Sequence, residues 1–148
     1  MYSRVLVAID DSDTSQRALQ EAVSLAADQG AALRVVCVVD EASLFGNADL
    51  VDPTAIEAAL VQAGRALLAR AQASAQAAGV TVETRMLETD RLGESVSRAI
   101  IEEARSWPAD LIVVGTHGRK GLRHFLVGSV AEGVIRESTV PILLIRGY

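Results

Sequence analysis

The sequence predicts an α/β fold, a doubly wound five-stranded parallel sheet with helices on both faces. Five short runs rich in β-branched residues carry that expectation: RVLVAI (4–9), LRVVCVV (33–39), VTVETRML (80–87), LIVVG (111–115) and PILLI (141–145). Four segments of helical periodicity separate them, and strict alternation of strand and helix implies parallel strands joined by right-handed crossovers. All but the third run are nearly continuous apolar stretches, as strands covered on both faces require. The length of 148 residues fits a single domain, 1–148, able to bury a real core.

Taken in order, the first run ends at Ile9-Asp10, and Ser12, Asp13 and Thr14 follow as candidate N-caps of a helix with Ala18, Ala22, Leu25 and Ala26 on one face. The second run holds the lone Cys37, read as a buried thiol, since one cysteine supports neither a disulfide nor a metal framework. Segment 40–52 (DEASLFGNADLVD) is the one long non-periodic connection, a candidate flap over a site. Asp52-Pro53 reads as cap and first residue of a long helix that aligns Ile56, Leu60, Ala63, Leu67 and Ala71. After the third run, Val96, Ile100 and Ala104 mark a helix that must stop before Trp107-Pro108, because the residue before a proline is driven out of helical geometry. Beyond the fourth run, Ala131, Val134 and Ile135 mark the last helix. No internal repeat, low-complexity tract or domain linker interrupts the series.

Composition excludes several function classes. A formal net charge of −5 opposes general nucleic-acid binding, which needs a positive face. The aromatic residues are only Tyr2, Phe45, Trp107, Phe125 and Tyr148, too few for a base-stacking platform. No apolar run approaches the about 18 residues of a membrane span. The opening MYSRVLVAIDDSD lacks the pattern of a signal peptide, so a cytoplasmic location is expected.

The stretch GTHGRKGLRHFLVGSV, Gly115 to Val130, is poor core material. Gly115, Gly118, Gly121 and Gly128 give up packing and add unfolded-state entropy. Between them, Arg119, Lys120 and Arg123 make residues 116–127 locally basic with no acid, on an acidic chain. Ligands of open α/β sheets bind outside the carboxyl ends of the strands, where the winding reverses. The ends concerned are Ile9-Asp10, Val38-Val39-Asp40 and Val114-Gly115, and the glycine stretch continues directly from the last. Gly115 and Gly118 let backbone N–H groups approach an anion, and Gly128-Ser129 stands where a helix start offers unpaired N–H groups, a positive dipole end and a hydroxyl. The spacing is neither a Walker loop nor a G-x-G-x-x-G turn. It points to an anionic ligand, most simply a nucleotide phosphate.

The spacing Gly115-x2-Gly118-x9-Gly128-Ser129 after the fourth strand, with Asp10 closing the first, resembles the nucleotide-binding branch of the universal stress protein family. The likeness runs through VLVAIDDSDTSQRAL and VVGTHGRKGLRHFLVGSVAEGVIRESTVPILLIR to the terminal strand. It implies a Rossmann-like, adenine nucleotide alpha hydrolase-like sheet of order 3-2-1-4-5, binding ATP or another adenine nucleotide with Mg²⁺. Carried over residue by residue, it implies that Ala8, Ile9 and Asp10 border the nucleoside, Asp10 reaching the ribose or a metal-bound water. Val38 presents backbone groups to the adenine edge. Gly115, His117 and Gly118 lie against ribose and phosphates, with Arg119 and Lys120 close by, and Gly128, Ser129 and Val130 hold the phosphates.

Other readings of the same residues remain. Asp10 and Asp11 also resemble the acidic pair of a phospho-receiver domain, which would further need a lysine near the end of the fifth strand, where PILLIRGY offers only Arg146. The phosphorylated aspartate would follow the third strand, where Glu88-Thr89-Asp90 stands. His117 is a possible base, but no Ser or Cys nucleophile is paired with it in a recognisable pattern. Three functions are therefore carried forward: a nucleotide-binding stress protein that senses or sequesters its ligand, a slow Mg²⁺-dependent ATPase, and a dimeric interaction protein. In the implied sheet order Val140–Ile145 is an apolar edge that Pro141 only opens and that carries no charge, so a homodimer through this strand is expected.

Overall fold

The computed structural model describes residues 1–40, 52–89, 95–117 and 127–147. The elements are β1 (Arg4–Ile9), α1 (Asp13–Gln29), β2 (Ala32–Val39), α2 (Pro53–Ala77), β3 (Val82–Glu88), α3 (Val96–Ser106), β4 (Leu111–Gly115), α4 (Ser129–Glu137) and β5 (Ile142–Ile145). All strand pairings are parallel, in the order β3-β2-β1-β4-β5. The winding thus reverses between β1 and β4, the crevice where open sheets of this kind take ligands.

Side-chain alternation along the strands builds two cores. On one face Val5, Val7, Leu33, Val35 and Val113 pack beneath α1 and α2. On the other Leu6, Val36, Ile112 and Val114 pack beneath α3 and α4. The central strands are apolar on both sides because both sides are covered.

The helix ends follow from local chemistry. Ser12, of the candidate caps, is the one that caps α1, its hydroxyl accepting from the Ser15 N–H at 3.2 Å. The helix closes at Gly30, whose φ of 64° is left-handed and whose neighbour Ala31 returns its N–H to the Ala26 carbonyl at 2.9 Å. Asp52 caps α2 by accepting from the Thr54 N–H at 3.0 Å, with Pro53 first in the helix. Helix α3 ends at Ser106, ahead of Trp107-Pro108.

Two expectations are corrected, the buried face of α2 and the start of β3. Ala63 is exposed, and the buried line of α2 runs instead through Gly64, Leu67, Leu68, Ala71 and Ala75. A Cβ on Gly64 would stand 2.9 Å from Met86 Cε and 3.4 Å from Cys37 Sγ, so the missing side chain lets α2 lie close on the β2–β3 pair. Ile135 is 46% exposed, because α4 turns Ala131, Gly133 and Val134 inward. Strand β3 begins two residues later than its apolar run: Val80 donates its N–H to the Ala75 carbonyl and so belongs to the end of α2. Cys37 is buried, as expected.

Arg34, the one cation inside the β2 run, is answered from the α3 side. Its guanidinium meets Glu103 Oε1 at 2.6 Å and lies 4.7 Å from the centre of the Trp107 ring. This pair of a half-buried arginine and a buried glutamate fastens α3 to the amino end of the sheet, away from the end that carries the candidate site.

Candidate functional site

At the carboxyl ends of β1 and β4, short polar side chains hold the turns in place. Asp10 is half-buried; its Oδ1 accepts from the Ser12 N–H at 2.8 Å, and its own N–H donates to Ser15 Oγ at 2.7 Å. The carboxylate is thereby fixed at the mouth of the crevice by the first turn of α1. Ile9 is different. It is buried in the core beneath α1 and α2, so only its main chain borders the crevice, whereas Ala8 lies on the opposite face with Val38 and Val130. These three half-buried aliphatic side chains form an apolar strip on the α4 side of the rim.

Gly115 ends β4, and its glycine has a packing reason that sequence reasoning missed. An added Cβ would stand 2.7 Å from Thr14 Cγ2, so the strand end presses directly on α1. Thr116, buried to 3% exposure, then organises the turn. Its N–H donates to the Ile145 carbonyl at 2.8 Å, and its carbonyl accepts from the Gly128 N–H. One residue thus joins β5, the end of β4 and the start of α4. Nothing in its type or spacing marks it, because its role is carried by its backbone. His117 is half-buried, with Nδ1 3.0 Å from Thr116 Oγ1. That contact holds the ring at the end of β4.

Gly128 caps α4 in extended geometry, φ −74° and ψ 169°, with no side-chain cap hydrogen bond. Helix geometry leaves the N–H groups of Ser129, Val130 and Ala131 without intrahelical acceptors. Ser129 is exposed and Val130 half-buried. Donors and a positive dipole end therefore gather across the rim from the Asp10 carboxylate. Gly118, Arg119, Lys120, Gly121 and Arg123 lie outside the described residues, as does the 41–51 part of the predicted flap. The described residues thus bring Ala8, Asp10, Val38, Gly115, His117, Gly128, Ser129 and Val130 to one rim of the sheet.

The donor set fits a phosphorylated nucleoside: backbone N–H groups and a hydroxyl for phosphate, a fixed carboxylate for a sugar hydroxyl, and an aliphatic strip for a base. Among the described residues no helix is long and apolar enough to cross a membrane.

Comparison with known proteins bears on the same features. A model of the universal stress protein family matches residues 1–146. A universal stress protein of Bacillus subtilis is 34% identical over 153 residues, covering 99% of this chain and all of its own length. The crystal structure of a universal stress protein family member from Burkholderia pseudomallei superposes with a TM-score of 0.80 at 37% identity, over 97% of this chain and 96% of that one. A universal stress protein crystallised in complex with cAMP superposes with a TM-score of 0.69 at 30% identity, over 98% of this chain and 97% of its own. One from Archaeoglobus fulgidus in complex with dAMP gives 0.67 at 27% identity, over 97% and 98%. With the glycine-capped helix start, the aspartate closing β1, the sheet order and a family match spanning nearly every residue, this chain belongs to the universal stress protein family.

Proposed function

We propose that this protein binds an adenine nucleotide, ATP or an AMP-type ligand, across the rim from β4 over β1 to β2, and acts as a cytoplasmic sensor or store of it. One observation carries the reading. The capless, glycine-started helix α4 opens at the sheet's winding reversal, opposite a carboxylate already fixed by α1. The ligands named for the two complexed relatives, cAMP and dAMP, share an adenine base and a phosphate, which supports the choice of ligand class.

In this reading Gly128, Ser129 and Val130 hold phosphate oxygens. Asp10 takes a ribose hydroxyl or a water of a nucleotide-bound Mg²⁺, an ion that commonly uses one or two carboxylates plus phosphates. Ala8, the Ile9 main chain and Val38 border the nucleoside. Gly115, His117, Gly118 and Arg119 complete the phosphate side. Residues 1–148 form one domain, and two copies pair through β5. The sequence offers a phosphate cradle without a recognisable water-activating pair, which favours binding over efficient hydrolysis.

The test is direct: the native protein is freed of ligand, titrated with ATP by calorimetry, and its products followed with and without Mg²⁺. Binding is expected with hydrolysis far below the roughly 1 s⁻¹ at the lower end of ordinary turnover. Turnover at ordinary enzyme rates, lost in His117→Ala, would replace the sensor reading with the ATPase. Absence of any nucleotide affinity would leave the dimeric interaction protein.

A further inference from the structure

We infer that the cleft between α1 and α2 is a second binding site, and that it takes a free α-amino acid with an aliphatic side chain. The cleft shares Ile9 and Asp10 with the rim described above but opens on the other face of the sheet, so it does not depend on the nucleotide reading.

The cleft follows from where α2 is held. Gly64 has no side chain, and there α2 lies close on Met86 and Cys37 of the β2–β3 pair. Toward α1 it turns Leu67, Arg70, Ala71 and Ser74, spaced i, i+3, i+4 and i+7 and therefore on one face. Two of these are small. Gln16, Leu19 and Gln20 answer from one face of α1, and the gap between the helices, at the end of β1, is a cavity of about 160 Å³. An aliphatic cavity of about 150 Å³ holds a benzene ring, so the space suits a body of about six carbons.

The floor is apolar: Ile9, Leu67 and Ala71 are buried and Leu19 is half-buried. The walls are polar. They carry the carboxamides of Gln16 and Gln20 and two charges of opposite sign, Asp10 at the end of β1 and Arg70 on α2. Among the described residues Arg70 has no hydrogen bond or ion pair, and it does not pair with Asp10. Asp10 Oδ1 accepts from the Ser12 N–H.

A ligand matched to these walls is neutral overall, holds both charges close together and has a small apolar body. A lone carboxylate would meet Arg70 but face Asp10, and a lone ammonium would meet the reverse conflict. The head of an amino acid answers both. Its carboxylate takes paired N–H bonds from the guanidinium, its ammonium donates to Asp10, and the carboxamides can donate or accept beside it. Its side chain then covers Ile9, Leu19 and Leu67, where burial removes apolar surface from water.

The experiment titrates nucleotide-free protein by calorimetry with three compounds of one aliphatic body: leucine, 4-methylpentanoate, which lacks the ammonium, and 3-methylbutylamine, which lacks the carboxylate. Leucine is expected to bind at least about tenfold more tightly than either, the worth of one charge-assisted hydrogen bond. Arg70→Gln, a change at an exposed position, should weaken leucine by about tenfold and leave 3-methylbutylamine within about twofold of wild type. Ser74→Leu, which fills the cleft from its exposed rim, should abolish binding of all three compounds. Should one variant fail to fold, the other decides together with the two analogues. Leucine bound no more tightly than its analogues, or bound equally by wild type and either folded variant, overturns the assignment. So does the absence of leucine binding up to about 10 mM, beyond the weak end of small-ligand affinity. No nucleotide is present in these titrations, so their failure leaves the nucleotide reading intact.

Discussion

Gly115 and Gly128 stand in one sequence motif for different physical reasons. At Gly115 the constraint is internal: the added Cβ meets Thr14 Cγ2 at 2.7 Å and Thr14 Cβ at 3.2 Å. Gly115→Ala should therefore lower stability by about 1–3 kcal/mol through overpacking, read as a shift of the denaturant midpoint. Thr14→Ser in the same chain should restore part of that loss, since it removes the closest atom. An alanine variant as stable as wild type would refute the packing account. At Gly128 the backbone is extended, a geometry valine also adopts, so Gly128→Val should fold normally. It should nevertheless weaken ATP binding by tenfold or more, because its side chain crowds the helix start. Ser129→Ala removes one hydrogen bond and should cost about 1.5–3 kcal/mol of binding free energy if the hydroxyl meets a charged phosphate. Calorimetric titration of the folded variants distinguishes the two positions, and unchanged affinity in Gly128→Val would remove the phosphate from α4.

Among the elements, α3 and α4 owe their contact to a glycine inside a helix. Gly133 is buried, and a Cβ there would stand 2.3 Å from Ser97 Oγ and 2.6 Å from Ser97 Cβ. An exposed helical glycine gains about 1 kcal/mol on replacement by alanine. Here Gly133→Ala should lower stability instead, because the clash forces the two helices apart. Adding Ser97→Gly should recover most of the loss, a coupling that thermal denaturation of the four combinations would measure. Stabilisation by Gly133→Ala alone would contradict this packing. The element boundaries were legible where chemistry is local: Asp52-Pro53 opened α2, Trp107-Pro108 bounded α3, and a serine capped α1. The α2 face was misread at Ala63 because a helix with many alanines shows little contrast between its faces, and the buried stripe passes through Gly64 instead.

For the whole molecule, the decisive feature is the edge at β5. The carbonyls of Pro141 and Ile145 accept from Ile112 and Thr116 of the β4 side. Parallel pairing alternates, so the backbone polar groups of Ile142 and Leu144 point away from β4. Leu143 and Ile145 pack in the core beneath α1 and α2, so lysine at either would disrupt folding rather than test the edge. Leu144→Pro removes one outward donor and leaves the β4 ladder whole. The proposed homodimer should then sediment as a monomer, with Leu144→Ala, which loses only side-chain packing, remaining dimeric. A wild-type chain that sediments as a monomer at micromolar concentration would defeat the dimer outright.

The sequence by itself determined the five strands, their parallel order of alternation with four helices, and the family motif from Gly115 to Ser129. Those signals are local: hydrophobic periodicity, capping residues and glycine spacing act within a few residues of one another. Tertiary structure alone decided the rest. It placed Ile9 beneath α1 and α2, gave Gly115 its neighbour in Thr14, and made Thr116 the junction of β4, β5 and α4. It also drew Thr89 to Asp40 across 49 residues of chain. Contacts between residues distant in sequence depend on which strands become neighbours and in what register, and no single run of residues encodes that choice.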